Sequence, residues 1–153
     1  MEKIQKTNFK LVGLKLKEKT SNENNQSSKD CGELWQKFEV DKIFNLIPHK
    51  VSNEVYAVYF DYEKDETMPF SYFIGCKVNE NAEVPESLET LEIPSQNYQK
   101  VIAKGEMTGC ITQAWEKIWT SEIPRKFGFD FEVYDERSQD WRDAEVDIYV
   151  SIS

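Results

Sequence analysis

The stretch FDFEVYDE, residues 129–136, sets a carboxylate and a phenol two positions apart in a run of strand-forming residues. Side chains of a strand point to alternate faces. Phe129, Phe131 and Val133 therefore share one face, and Asp130, Glu132 and Tyr134 share the other. Aromatic rings beside a carboxylate suit an organic cation. The rings contribute about 0.5–2 kcal/mol of cation–π attraction and the carboxylate supplies the formal charge. The plainer reading is an antiparallel strand whose polar face lies in water.

The closing stretch AEVDIYVSI (144–152) is the natural partner of this strand. Setting Asp135 opposite Ala144 places Val133 opposite Val146, Phe131 opposite Ile148 and Phe129 opposite Val150, so one face is wholly apolar. The other face then pairs Glu132 with Asp147, Tyr134 with Glu145 and Asp130 with Tyr149. A slip of one residue would exchange the faces, which is the basis for this register. Two carboxylates facing each other repel, so solvent, a lysine or a bound cation must offset Glu132 and Asp147.

Other reactive side chains form no recognisable constellation. His49 is the only histidine and stands in the loop-like IPHK, a poor position for a triad. Cys31, Cys76 and Cys110 include no CxxC pair, so neither a disulfide frame nor a zinc site is expected. DYEKDETMP lacks the glycine turn of a calcium loop, and KGEMTG lacks the lysine and serine of a phosphate loop. No cofactor is expected. The free cysteines fit a reducing, cytoplasmic setting, and MEKIQKTNFK has no signal-peptide core. No apolar run approaches the ~20 residues of a membrane span.

The chain has 153 residues, a formal charge of −9 and a hydrophobic fraction of 39%, which suits one domain over 1–153 with a full core. The charge is uneven. Residues 129–153 hold eight acids against two bases, and the first 19 residues hold six lysines against two glutamates. This acidity argues against direct binding of nucleic acid.

The elements that must position Glu132 follow from periodicity. Residues 4–17 alternate as one strand, with Gly13 as a bulge. TSNENNQSSKD (20–30) has no apolar residue and reads as a loop, with Asp30 and Glu33 at capping-box spacing. Leu34, Trp35, Phe38, Phe44 and Ile47 fit one helical face that Pro48 ends. EVYAVYFDYE (54–63) and FSYFIGCKV (70–78) read as a hairpin. YQKVIAKG (98–105) is a strand, and 107–124 is a helix with Trp115 and Trp119 on its core stripe; Trp35 is assigned to the core likewise. Trp141 belongs to an exposed hairpin loop. The fold class is α+β. Two pseudo-symmetric strand–helix–strand–strand halves, about 1–79 and 97–153, are joined by a linker over 80–97. The antiparallel sheet carries two main helices on one side, with a cleft between the halves. Of the first-hairpin aromatics, Tyr72 and Tyr62 are favoured as cleft residues.

This plan, with YAVYFDYEKD, SYFIGCKV, AWEKIW, FDFEVYDE and EVDIYVSI, resembles the GyrI-like effector-binding domains of AraC-type and multidrug-sensing transcription regulators, and most of all their stand-alone, integron-associated type. The resemblance covers nearly the whole chain and is most specific over its final 25 residues. It implies a cationic or amphipathic drug-like ligand in the cleft, with Glu132 as its carboxylate and Tyr149 as an aromatic wall beside Tyr134, Tyr72 and Tyr62. A strand beginning near residue 4 leaves no helix-turn-helix before it, so a binding protein without its own DNA-binding domain is expected. The same resemblance offers two alternatives. One is a hydrolase of electrophilic small molecules with Glu132 as general base. The other is an interaction or inhibitor module that meets a protein partner through its acidic surface; a homodimer is the other partner considered.

Overall fold

The computed structural model describes residues 2–153. Eight strands form one antiparallel sheet: β1 (Glu2–Lys6), β2 (Phe9–Lys15), β3 (Val55–Phe60), β4 (Ser71–Val78), β5 (Glu89–Ile93), β6 (Gln96–Gly105), β7 (Asp130–Tyr134) and β8 (Ala144–Ile152). Their spatial order is β1-β6-β8-β7-β3-β4-β2-β5. Helices α1 (Gln26–Val40), the short α2 (Ile43–Leu46) and α3 (Met107–Trp119) complete the fold. The units β2-α1-β3-β4 and β6-α3-β7-β8 mirror each other across the β7–β3 junction, as the α+β duplication predicts. Each half also lends a strand to the other. β1 pairs with β6, and β5 pairs with β2.

That exchange corrects the first reading of residues 4–17. They are two strands on opposite sides of the sheet, and alternation cannot report a break between them. Gly13 is not a bulge but lies directly opposite Gly75 in an unbroken register. The linker over 80–97 contains β5. The polar run 20–30 is not all loop either. Asn24 and Asn25 adopt left-handed φ of 52° and 58°, which asparagine tolerates, and α1 starts immediately after them. Its first turns are solvent-exposed, so they carry no apolar period, and Asp30 lies inside the helix rather than at its cap. The broad helical face assigned up to Ile47 is interrupted at Lys42, with φ of 51°.

Both faces of the sheet are buried. α1 and α3 cover one. Beneath them lie Val12, Leu14, Ala57 and Ile74, and, under α3, Val146, Ile148 and Val150. The other face closes on itself through Phe9, Leu11, Tyr56, Phe73, Tyr98, Phe131 and Tyr149. Phe9 on β2 meets Phe131 on β7 at 5.7 Å between ring centroids. Two strands lie between them, and in a flat sheet their backbones would be ~14 Å apart. The sheet is therefore curled around this second core.

The last hairpin takes a different register from the expected one. β7 and β8 pair Phe131 with Tyr149, Glu132 with Ile148 and Val133 with Asp147, one residue away from the expected alignment. The Glu132–Asp147 repulsion does not exist. Asp147 lies on the other face, 2.8 Å from Arg137 and 3.6 Å from Lys100.

Gly13 and Gly75 face each other where β2 and β4 leave no room for a side chain. A Cβ on Gly13 would run into the Ile74 carbonyl oxygen and lie 2.6 Å from Gly75 Cα. Both obstacles are backbone, which cannot rotate away. Gly13→Ala is expected to lower the urea-unfolding free energy by about 3 kcal/mol or to prevent folding. A stability within about 0.5 kcal/mol of wild type, the range of an ordinary surface change, would contradict this packing.

Candidate ligand-binding site

Alternation along β7 turns Asp130, Glu132 and Tyr134 toward the helices. Glu132 is 1% exposed. Among the described residues it has no ion-pair partner. Three neutral donors hold it. The Tyr59 hydroxyl and the Trp115 indole N–H each donate to Oε2 at 2.7 Å. The Tyr134 hydroxyl donates to Oε1 at 2.5 Å. Each donor has a simple structural origin. Ala57 sits opposite Glu132 across the β3–β7 junction and leaves room, and Tyr59 projects two residues farther along the same face. Tyr134 is two residues on along β7. Trp115 reaches down from the buried stripe of α3.

A second ring of aromatics supports these donors. Tyr72 is opposite Tyr59 in the β3–β4 ladder, with ring centroids 5.0 Å apart. Trp35 of α1 donates its indole N–H to the Tyr72 hydroxyl at 2.8 Å, and its ring meets Tyr134 at 5.1 Å. Each main helix thus sends one tryptophan into the cluster. Burial pushes the Glu132 carboxyl above its ordinary range, and the hydrogen bonds from Tyr134, Tyr59 and Trp115 offset this only in part. Burial first, and then the nearby charge of Glu132, raise the phenols of Tyr59, Tyr72 and Tyr134 well above theirs. All three therefore stay protonated, and Tyr59 and Tyr134 remain donors to Glu132.

A cavity of about 280 Å³ opens beside this cluster, between α1 and α3. Tyr59, Trp115, Trp119, Phe70 and Tyr62 form its aromatic wall, and Arg125 lines it as well. Glu132 lies one layer behind, screened by Tyr59 and Trp115, whose rings are 5.1 Å apart.

Asp130, the other acid on this face of β7, is held differently. It is fully buried, accepts from the Ser151 backbone N–H (2.7 Å), the Ser151 hydroxyl (2.8 Å) and the Tyr62 hydroxyl (2.7 Å), and pairs with Arg125 at 2.9 Å. Two carboxylates on one strand thus differ in kind. Asp130 is neutralised and Glu132 is not.

Of the residues expected in the cleft, Glu132, Tyr134 and Tyr72 come together in one cluster. Tyr62 lines the cavity but spends its hydroxyl on Asp130. Tyr149 does not join them. It lies on the opposite face, stacked on Phe131 at 4.9 Å and capped by the Lys6 ammonium at 4.6 Å. The one-residue register change moved it there. Trp115 was assigned to the core, Tyr59 was not favoured among the first-hairpin tyrosines, and Arg125 was missed. Trp115 occupies a core position whose polar atom the helical period does not mark. Tyr59 stands in a run whose two faces are equally apolar. Trp141 is 63% exposed, as its loop suggested.

The raised Glu132 pKa has a definite sign in stability. A carboxyl whose folded pKa lies above its unfolded value supplies stability at low pH that is lost as pH rises through the folded pKa. Glu132→Gln removes that titration and can keep the hydrogen bonds, with its amide donating to a tyrosine hydroxyl. Its melting temperature should gain on wild type as pH rises above the ordinary carboxylate range. A constant difference above that range would show that Glu132 does not titrate there. Glu132→Ala leaves the Trp115 N–H unpaired and should cost about 1–3 kcal/mol in a denaturant titration.

Comparison with known proteins gives this geometry a context. A family profile described as "Integron-associated effector binding protein" matches residues 4–152. The Bacillus subtilis (strain 168) protein YobU, named as a transcriptional regulator, is 26% identical over 123 residues, covering 78% of this chain and 77% of its own. The solved structure of SAV2435 bound to tetraphenylphosphonium superposes with a TM-score of 0.80 at 17% identity, over 99% of this chain and 93% of that one. The Vibrio cholerae integron cassette protein VCH_CASS2 gives 0.70 at 24% identity, over 97% and 94%. At these identities the two structures establish a shared fold. With nearly its whole length matched by the profile, the chain belongs to the integron-associated effector binding protein family.

Proposed function

We propose that this effector-binding protein takes an amphipathic organic cation into the cavity between α1 and α3. The observation that carries this reading is Glu132, a buried carboxylate held by neutral donors alone behind an aromatic wall. Withdrawing an ionised carboxylate from water costs several kcal/mol. Hydrogen bonds from two phenols and an indole recover part of that cost, and a ligand cation at the Tyr59–Trp115 wall would recover more. The rings add cation–π attraction, which is strongest when the cation is stripped of water. SAV2435, which shares the fold, was solved with a lipophilic cation. Binding fits the geometry better than hydrolysis, because the two donors to Oε2 also stand between the carboxylate and the cavity where a substrate would wait.

A matched pair of compounds tests the charge. Phenyltrimethylammonium and tert-butylbenzene have nearly the same shape and differ by one positive charge. Glu132→Gln should weaken the cation about tenfold, roughly 1.4 kcal/mol, and leave the neutral compound within about twofold. Equal weakening of both would remove the electrostatic role of Glu132. Linkage adds a pH signature. A cation favours ionised Glu132, so its binding lowers a pKa that burial has raised, and a proton is released. Affinity for this permanently charged ligand should therefore rise with pH through the titration of Glu132 and then level off. Calorimetry in buffers of different ionisation heat measures that proton directly. No proton release at any pH would mean that the ligand does not sense the carboxylate.

A further inference from the structure

Arg125 carries more hydrogen-bonding capacity than the protein uses. Its side chain is 7% exposed, and it lines the cavity. Nη2 donates to Asp130, but Nε and Nη1 are buried without a hydrogen-bond partner among the described residues. Nη1 lies 3.6 Å from Glu66 Oε2, near enough for charge attraction and beyond a good hydrogen bond. The guanidinium is held in place by Phe127 at 4.2 Å, Trp115 at 5.8 Å and Tyr62 at 5.9 Å from its Cζ to the ring centroids. Buried polar groups are rarely left unpaired, and an orphan donor costs about as much as a lost hydrogen bond.

We infer that the cavity's ligand bears, besides its cationic group, a neutral acceptor oxygen of the carbonyl class that receives the unused Arg125 N–H groups. This rests on the reading of the cavity as a cation site and adds a second point of recognition to it. The acceptor is neutral for an electrostatic reason. Arg125 already faces Asp130 and Glu66, so its positive charge is matched, and a third carboxylate would be repelled. The positive charge of the ligand belongs at the Tyr59–Trp115 wall in front of Glu132. Its oxygen belongs at the Arg125 wall, and the aromatic body lies between. A charge at one end and a hydrogen bond at the other would orient a ligand that an aromatic cavity alone would accept in many poses. An acceptor-free cation leaves the Arg125 donors unpaired, which is a penalty against it.

The test uses two cations that differ in one atom group. 4-Acetyl-N,N,N-trimethylanilinium has a ketone where 4-isopropenyl-N,N,N-trimethylanilinium has a C=CH₂ of the same shape. Calorimetric titration of the wild-type chain should show the ketone binding about tenfold tighter, as expected for a hydrogen bond to a charged donor. Glu132→Gln should weaken both cations together and leave that preference in place. Removing Arg125 alone would strand Asp130 as a buried unpaired charge, so the variant is the double substitution Arg125→Met with Asp130→Asn. In it, the preference should fall to within about twofold. Equal affinity of the two cations for wild type overturns the Arg125 assignment and leaves the cation site standing. Tighter binding of 4-carboxy-N,N,N-trimethylanilinium than of the ketone overturns the neutral acceptor. Binding of neither cation overturns the cation reading and this inference with it. The wild-type comparison needs no variant to fold.

Discussion

The structure turns on the burial of one carboxylate without a countercharge. Glu132 lies beneath α3 at the junction of two half-sheets, and its hydrogen-bond donors among the described residues are all neutral. Such a group is costly in a protein interior unless its oxygens are well satisfied. Three donors from three elements meet that need, so β3, β7 and α3 are held in mutual register by the acid they surround. Asp130, two residues away on the same face, shows the alternative solution. It has an arginine, a serine and a tyrosine, and a full set of partners. A strand that neutralises one acid and leaves its neighbour un-neutralised holds an electrostatic imbalance at one place only, and that place adjoins a cavity.

The duplicated architecture explains why the imbalance sits there. The sheet has a pseudo-twofold arrangement about the β7–β3 pair, where the two halves meet. α1 and α3 descend on that junction from either side, and each places a tryptophan over it: Trp35 on Tyr72, Trp115 on Glu132. The cavity lies between the two helices, lined by Ser27, Ser28 and Cys31 of α1 and by Ile111, Trp115 and Trp119 of α3. Exchange of β1 and β5 between the halves ties each half to the other at its outer edge, so the halves cannot separate without breaking strand ladders. The cavity wall that this frame carries consists of side chains, Tyr59 and Trp115 among them, which stand in front of the acid.

Curling of the sheet is the second condition. A flat sheet of eight strands with helices on one side would present its other face to water, and the polar alternation of β7 would belong there. The curl instead gives that face to Phe9, Phe131, Tyr98 and their neighbours as a core of its own. The polar face of β7 must then point to the helices, where polar side chains have to be functional or fully hydrogen-bonded. Asp130 is the second kind. Glu132 is hydrogen-bonded too, but by neutral donors with no arginine among them.

Local chemistry was legible in the sequence. The helix over α3, the strands β3, β4, β6, β7 and β8 and the α+β duplication rest on periods of 3.6 or 2 and on proline stops, which depend on neighbours in the chain, and the family resemblance rests on particular stretches such as FDFEVYDE and EVDIYVSI. The same alternation put Glu132 and Tyr134 on one face. What failed was information that only distant contacts carry. Alternation says which residues share a face, but when both faces are buried it cannot say which face meets the helices, and an all-apolar pairing rule then selects the wrong register by one. That single step carried Tyr149 away from Glu132. The same limit hid the break between β1 and β2, because each alternates correctly and only their partners differ. It hid the roles of Trp115 and Arg125 as well. An indole N–H on a core stripe and an arginine in a loop come to line the candidate site only when the chain brings a carboxylate, three rings and a cavity around them.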